Sequence, residues 1–166
     1  MKLDLRREFA DIHAHVADRV CGFDPASNDG PGKPGPVKMI VVGFEYAQAA
    51  WVAVVFDTRP TVEPDGHWQF HIMGNKWGRP DWLAASEANL EGPITLVRLD
   101  GTETVLPKCT ELAQPLGELL KAVVLKTRDD GVFAGLPKAP GCELCIEHHE
   151  GAYFWPASGE DAQEIA

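Results

Sequence analysis

The sequence lacks four things, and each absence closes off a class of function. It has no cluster of basic residues: 15 Lys and Arg stand against 25 Asp and Glu, giving a net charge of −10. A grip on nucleic-acid phosphates or an anionic membrane depends on clustered cations, so both are disfavoured. It has no run near the ~18 apolar residues of a membrane span. It has no phosphate loop either, because the prolines of GPGKPGP at residues 30–36 remove the backbone donors such a nest requires. A G-x-S-x-G nucleophile elbow is also missing. The charged opening Met1-Lys2-Leu3-Asp4 has no apolar core behind it, so it does not read as a secretory leader. The expectation is a cytoplasmic protein whose four cysteines, Cys21, Cys109, Cys142 and Cys145, stay reduced.

The 166 residues, 45% hydrophobic and 24% charged, suit one ordinary globular domain. We place it at residues 1–157, with a Gly/Pro-rich mobile loop at 22–36 and an acidic tail at 158–166. Eight of the 15 loop residues are Gly or Pro, which break both helix and strand.

Leu5, Phe9, Ile12, Val16 and Val20 draw one apolar stripe, which predicts a helix over residues 3–20, capped by Asp4 and stopped at Gly22. Residues 37–46 and 49–59 read as a central hairpin, and HWQFHIM at 67–73 alternates as a further strand. A short helix starts at Pro80. Residues 93–107 read as a hairpin about Asp100-Gly101, the pair a two-residue primed turn demands. A helix from Pro115 to Thr127 buries Leu116, Leu119, Leu120, Val123 and Val124. VFAGLPKAPG reads as loop, and a last hairpin turns at Glu150-Gly151. Because hairpins outnumber helical crossovers, the fold class is α+β. The expected form is a mainly antiparallel sheet of about six to seven strands, with two longer helices and one short one.

The one stretch that points at chemistry is CELCIEHHE, residues 142–150. A zinc C-x-x-C turns both thiolates toward one ion through a tight knuckle. Here Glu143, Leu144, Ile146 and Glu147 favour extension. In a strand, Cys142 falls with Leu144, Ile146 and His148, and Cys145 with Glu147 and His149, on opposite faces. A redox C-x-x-C belongs at a helix N-terminus, which this is not. His67 and His71 share a strand face but lie about 13 Å apart along it. His13 and His15 point apart on a helix. Asp129-Asp130 and Glu160-Asp161 sit where solvent reaches them, unlike a catalytic acid.

Trp77 lies between Gly74 and Gly78 and beside Lys76 and Arg79. A loop tryptophan flanked by cations is a candidate binding hot spot. The sequence therefore points to a non-enzymatic domain that binds a protein partner through Lys76, Trp77 and Arg79, with no catalytic residue and no cofactor. An immunity- or inhibitor-type role against a basic partner is its sharpest form, since acidic charge speeds that encounter. The alternative is a zinc-binding domain or metal-dependent enzyme using Cys142, Cys145, His148 and His149, joined by a distant Cys109 or His71. A third option is a small-molecule pocket between the sheet and the Gly/Pro loop.

Overall fold

Asp4 is where strand gives way to helix. Its backbone is extended (φ −101°, ψ 103°), and its side chain accepts a hydrogen bond from the Arg6 N–H. That caps one of the unpaired donors of the first helical turn. The computed structural model describes residues 1–24, 35–58, 76–108, 110–149, 152–155 and 163–164. In chain order the elements are β1 (Lys2–Asp4), α1 (Leu5–Cys21), β2 (Val37–Glu45), β3 (Trp51–Asp57), β4 (Trp77–Gly78) and α2 (Pro80–Glu91). Then come β5 (Ile94–Val97), β6 (Glu103–Leu106), α3 (Ala113–Asp129), a 3-10 turn (Val132–Gly135), β7 (Lys138–His148), β8 (Ala152–Trp155) and β9 (Gln163–Glu164).

These elements make an α+β domain whose strand pairings are mostly antiparallel, but they form two sheets. A small one has the order β1-β5-β6 and a large one β4-β3-β2-β7-β8, with β9 also on β7. The expected hairpins at 37–59, 93–107 and the C-terminal end all form. Two features go beyond local pattern. Leu3, included in the expected helix, instead belongs with Lys2 and Asp4 to a strand parallel to β5, which lets it bury beside its partner Leu96. The two central strands, β2 and β7, run parallel although about a hundred residues of chain separate them.

Three other expectations shift. The turn after β5 is not a two-residue primed turn. Arg98 N–H donates to Thr102 O and Gly101 N–H to Arg98 O, leaving Leu99, Asp100 and Gly101 as a three-residue loop. Only Gly101 is left-handed there (φ 85°), whereas the primed turn needs positive φ at Asp100 as well. VFAGLPKAPG is not all loop, because β7 begins at Lys138. Against two steps of β2 (Val37 to Met39) the partner strand takes five (Lys138 to Glu143), and Gly141 (φ 72°) turns within the excess. Gln163 and Glu164, in the stretch read as tail, pair with β7. The strand expected at 67–73, with His67, Trp68 and His71, lies outside the described residues. So do Cys109, the Glu150-Gly151 turn, residues 25–34 of the Gly/Pro loop and Glu160-Asp161.

The main core lies between one face of the large sheet and helices α1 and α3, which also pack on each other. Ile40, Val42, Phe44, Val52, Val54, Leu144 and Ile146 supply the sheet side. Ile12, Val16, Leu116, Leu120 and Val123 supply the helix side. Each fully buried side chain of this kind is worth about 1.5–3 kcal/mol relative to exposure, so this layer dominates stability. The opposite sheet face carries a second buried set, Met39, Val41, Trp51, Ala53, Val55 and Cys145. This is why β2 and β3 read as continuous apolar runs rather than alternating ones. No described helix is long and apolar enough to cross a membrane.

Candidate functional site

Several of the singled-out side chains meet at one end of the large sheet, around the β2–β3 turn. The turn is held by Glu45, whose Oε1 accepts from the Tyr46 and Ala47 N–H groups, each at 2.8 Å. Ala50 closes it with φ 34°, the one non-glycine in the left-handed region among the described residues. Its carbonyl accepts from the Arg79 N–H at 2.6 Å. A strained residue of this kind persists only where its surroundings fix it.

From that anchor the three predicted partner-binding residues diverge. Arg79 turns inward, with its side chain 8% exposed and that of Glu8 2%. Arg79 Nε and Nη2 donate to Glu8 Oε2 at 3.1 and 2.5 Å, and Trp82 Nε1 donates to the same oxygen at 2.5 Å. Its guanidinium is therefore spent inside the domain. Glu8 was invisible to the stripe read from the sequence, which used Phe9. The signal was there, because Leu5, Glu8, Ile12 repeats at helical spacing and brings a carboxylate to an inward position.

Trp77 is half-buried. Its ring stacks on His15 of α1 (centroids 4.4 Å apart, planes 20°), and the Arg79 guanidinium carbon lies 4.2 Å from its centroid. Burial, and then the positive charge of Arg19, push the His15 pKa down. Asp11 and Asp18 are exposed on α1, one turn to either side of His15. Lys76 is exposed and reaches over the other sheet face, its ammonium 4.6 Å from the Trp51 ring centroid.

The C-terminal cysteines and histidines lie on β7 and just beyond it, and their side chains part to opposite faces, as an extended strand dictates. Cys142 joins the main core with Leu144 and Ile146, and Cys145 joins the second buried set, its Sγ 3.7 Å from Met39 Sδ. Burial raises the pKa of both thiols, Cys145 far more than Cys142. That is the reverse of an activated thiolate. His148 packs beside Phe44 and Tyr46, at 5.1 and 5.5 Å between centroids. His149 is exposed on the other face, edge-on to Trp51 at 5.4 Å. Among the described residues, no three His, Cys, Asp or Glu side chains gather as metal ligands would.

One further residue of β7, Glu147, has no signal in the sequence pattern. Glu147 is buried, with 9% of its surface exposed, its Oε2 has no hydrogen-bond partner, and burial raises its pKa. It sits on the same sheet face as Cys145, Trp51 and Lys76, in register with Gly43 and Ala53. Comparison with protein-family models, with curated proteins and with solved structures gives no match.

Proposed function

We propose that this chain is a non-enzymatic domain that binds a protein partner through the end of the large sheet built around Trp77. The observation that carries this reading is the Trp77–His15 stack, a half-exposed aromatic pair flanked by the exposed carboxylates of Asp11 and Asp18. Binding hot spots at protein interfaces are enriched in tryptophan, and complementary charge steers the partner. Here α1 presents Asp11 and Asp18 beside the stack together with Arg19, and the whole chain is acidic at −10, which fits a basic partner. Lys76 adds an apolar stem and a cation on the adjoining face, whereas Arg79 acts from behind by holding Trp77 in place. An immunity- or inhibitor-type role is the form this reading takes if the partner is a basic toxin or enzyme.

The test is recovery of a partner on the tagged chain from extract of its native cells. Wild type is compared with Trp77→Ala and with Asp11→Asn/Asp18→Asn, all shown by circular dichroism to be folded. The expected result is one protein held at low salt, weakened at high salt and by the Asn pair, and lost with Trp77→Ala. Retention indifferent to all three perturbations overturns the site. Elemental analysis of the purified protein separates this reading from the zinc alternative, for which one bound zinc per chain and loss of structure on chelation are the positive result.

A further inference from the structure

β6 is the outer strand of the small sheet, and among the described residues no strand pairs with its free side. The register fixes which groups it presents there. Arg98 N–H donates to Thr102 O, so these two form a hydrogen-bonded pair of the β5–β6 hairpin. Such pairs alternate along an antiparallel ladder, so Thr104 and Leu106 direct their N–H and C=O groups to Leu96 and Ile94. Glu103 and Val105 point theirs outward, and both residues are exposed.

Natural sheets guard such an edge with charge, proline or a bulge. Here the guard is missing. Glu103 carries the one charge on β6, and its carboxylate is drawn back across the sheet to Lys2 of β1, at 2.6 Å. Thr104 Oγ1 is likewise turned back, accepting from Arg98 Nε at 2.9 Å. The β5–β6 register runs without a bulge, and proline comes only at Pro107, beyond the strand. Val105 is left bare at 63% exposure. Two further exposed leucines flank the ends of β6. Leu90 follows Asn89, whose Nδ2 donates to Pro107 O at 2.8 Å, and Leu99 lies in the loop before Thr102. Of the exposed large apolar side chains among the described residues, Met1 alone lies elsewhere.

We propose that β6 pairs antiparallel with β6 of a second copy, about a two-fold axis between the two Thr104 residues. Three symmetric registers can join the outward residues. Glu103 opposite itself sets two carboxylates side by side, which is destabilising. Val105 opposite itself brings Glu103 against Pro107, which has no N–H to donate. Glu103 opposite Val105 of the other copy uses every outward group, makes four hydrogen bonds by symmetry and opposes no like charges. In that register Thr104 meets Thr104, a favourable cross-strand pair. The Val105 methyls are covered, and Leu90 of one copy comes to the same end of the joint as Leu99 of the other. A second copy is the occupant because the strand complements itself in this register. The edge shares no residue with the Trp77 surface, so it stands whether or not that surface binds a protein.

The test follows the full chain by sedimentation equilibrium from micromolar to millimolar concentration. The expected result is a reversible monomer–dimer equilibrium, tightened by salt because each copy carries −10. Amide hydrogen exchange of the wild type should slow at Glu103 and Val105 as the dimer forms. Val105→Pro removes two of the four bonds and leaves the ladder to β5 intact, since the Val105 N–H points away from it. It should keep the wild-type circular dichroism and weaken dimerisation at least tenfold. Thr104→Cys, combined with Cys21→Ser and Cys109→Ser, should cross-link on oxidation. Its Cα atoms lie about 4.5 Å apart in such a pair, within disulfide reach. A chain that stays monomeric at millimolar concentration overturns the proposal. So does a dimer with unchanged exchange at Glu103 and Val105, one formed equally well by folded Val105→Pro, or one that Thr104→Cys does not cross-link. Exchange slowed only when a different protein is bound assigns the edge to that protein and overturns the second-copy assignment.

Discussion

Replacing Glu8 with methionine leaves the Arg79 guanidinium buried without its main counter-ion and the Trp82 indole N–H without an acceptor. Removing one partner of a buried pair costs about 3–5 kcal/mol, because the survivor is a buried, uncompensated charge. Two features of this structure place the loss at the low end. Asp11 Oδ2 stands 3.8 Å from Arg79 Nη2 and keeps a weak contact, and the stack on Trp77 at 4.2 Å remains. We expect Glu8→Met to lose about 3 kcal/mol. With a urea m-value of about 2 kcal/mol/M, the midpoint then falls by about 1.5 M. A domain with about 5–15 kcal/mol of stability still folds after that loss. Arg79→Met should lose at least as much, since it also gives up the contacts with the Trp77 and Trp82 rings. The double variant buries no charge and orphans only the Trp82 N–H, for which the cost is about 1–3 kcal/mol. It should therefore be no less stable than either single variant. Urea denaturation followed by circular dichroism measures all four corners of the cycle. If the two losses simply add, or if either single change costs under about 1 kcal/mol, the cluster is not the electrostatic unit described here.

Two further outcomes follow from burial in the sheet. Glu147 has a folded-state pKa raised above the ordinary 4.5 by burial, so the folded chain holds that proton more tightly than the unfolded one. Below pH 4.5 both forms are protonated and the group contributes nothing; as pH rises past that value the unfolded chain ionises first and stability falls. Glu147→Gln should thus match wild type in acid and exceed it at neutral pH, read by denaturation at a series of pH values; a gain already present in acid contradicts the assignment. Among Cys21, Cys142 and Cys145, a thiol reagent should label Cys21, the exposed one, at once. It should reach Cys142 and Cys145 only on unfolding, and peptide mapping that finds Cys145 modified as fast as Cys21 refutes its placement against Met39.

The elements of this fold are local facts, and the sequence determined most of them. Helical spacing in 5–20 and 116–124, the capping carboxylate of Asp4, and apolar runs broken at Ala47-Gln48 and Asp100-Gly101 give α1, α3 and two hairpins, because side-chain period and turn chemistry act over a few residues. The parting of Cys142 from Cys145 follows the same way, from the twofold period of a strand. What tertiary structure alone decided is who lies beside whom. The parallel pairing of β2 with β7 sets Glu147 against Gly43. The approach of residue 79 to residue 8 turns Arg79 from a surface cation into the partner of a buried glutamate. Neither is written in any short window, since each depends on segments of about seventy to a hundred residues' separation being brought together by the burial of a shared core.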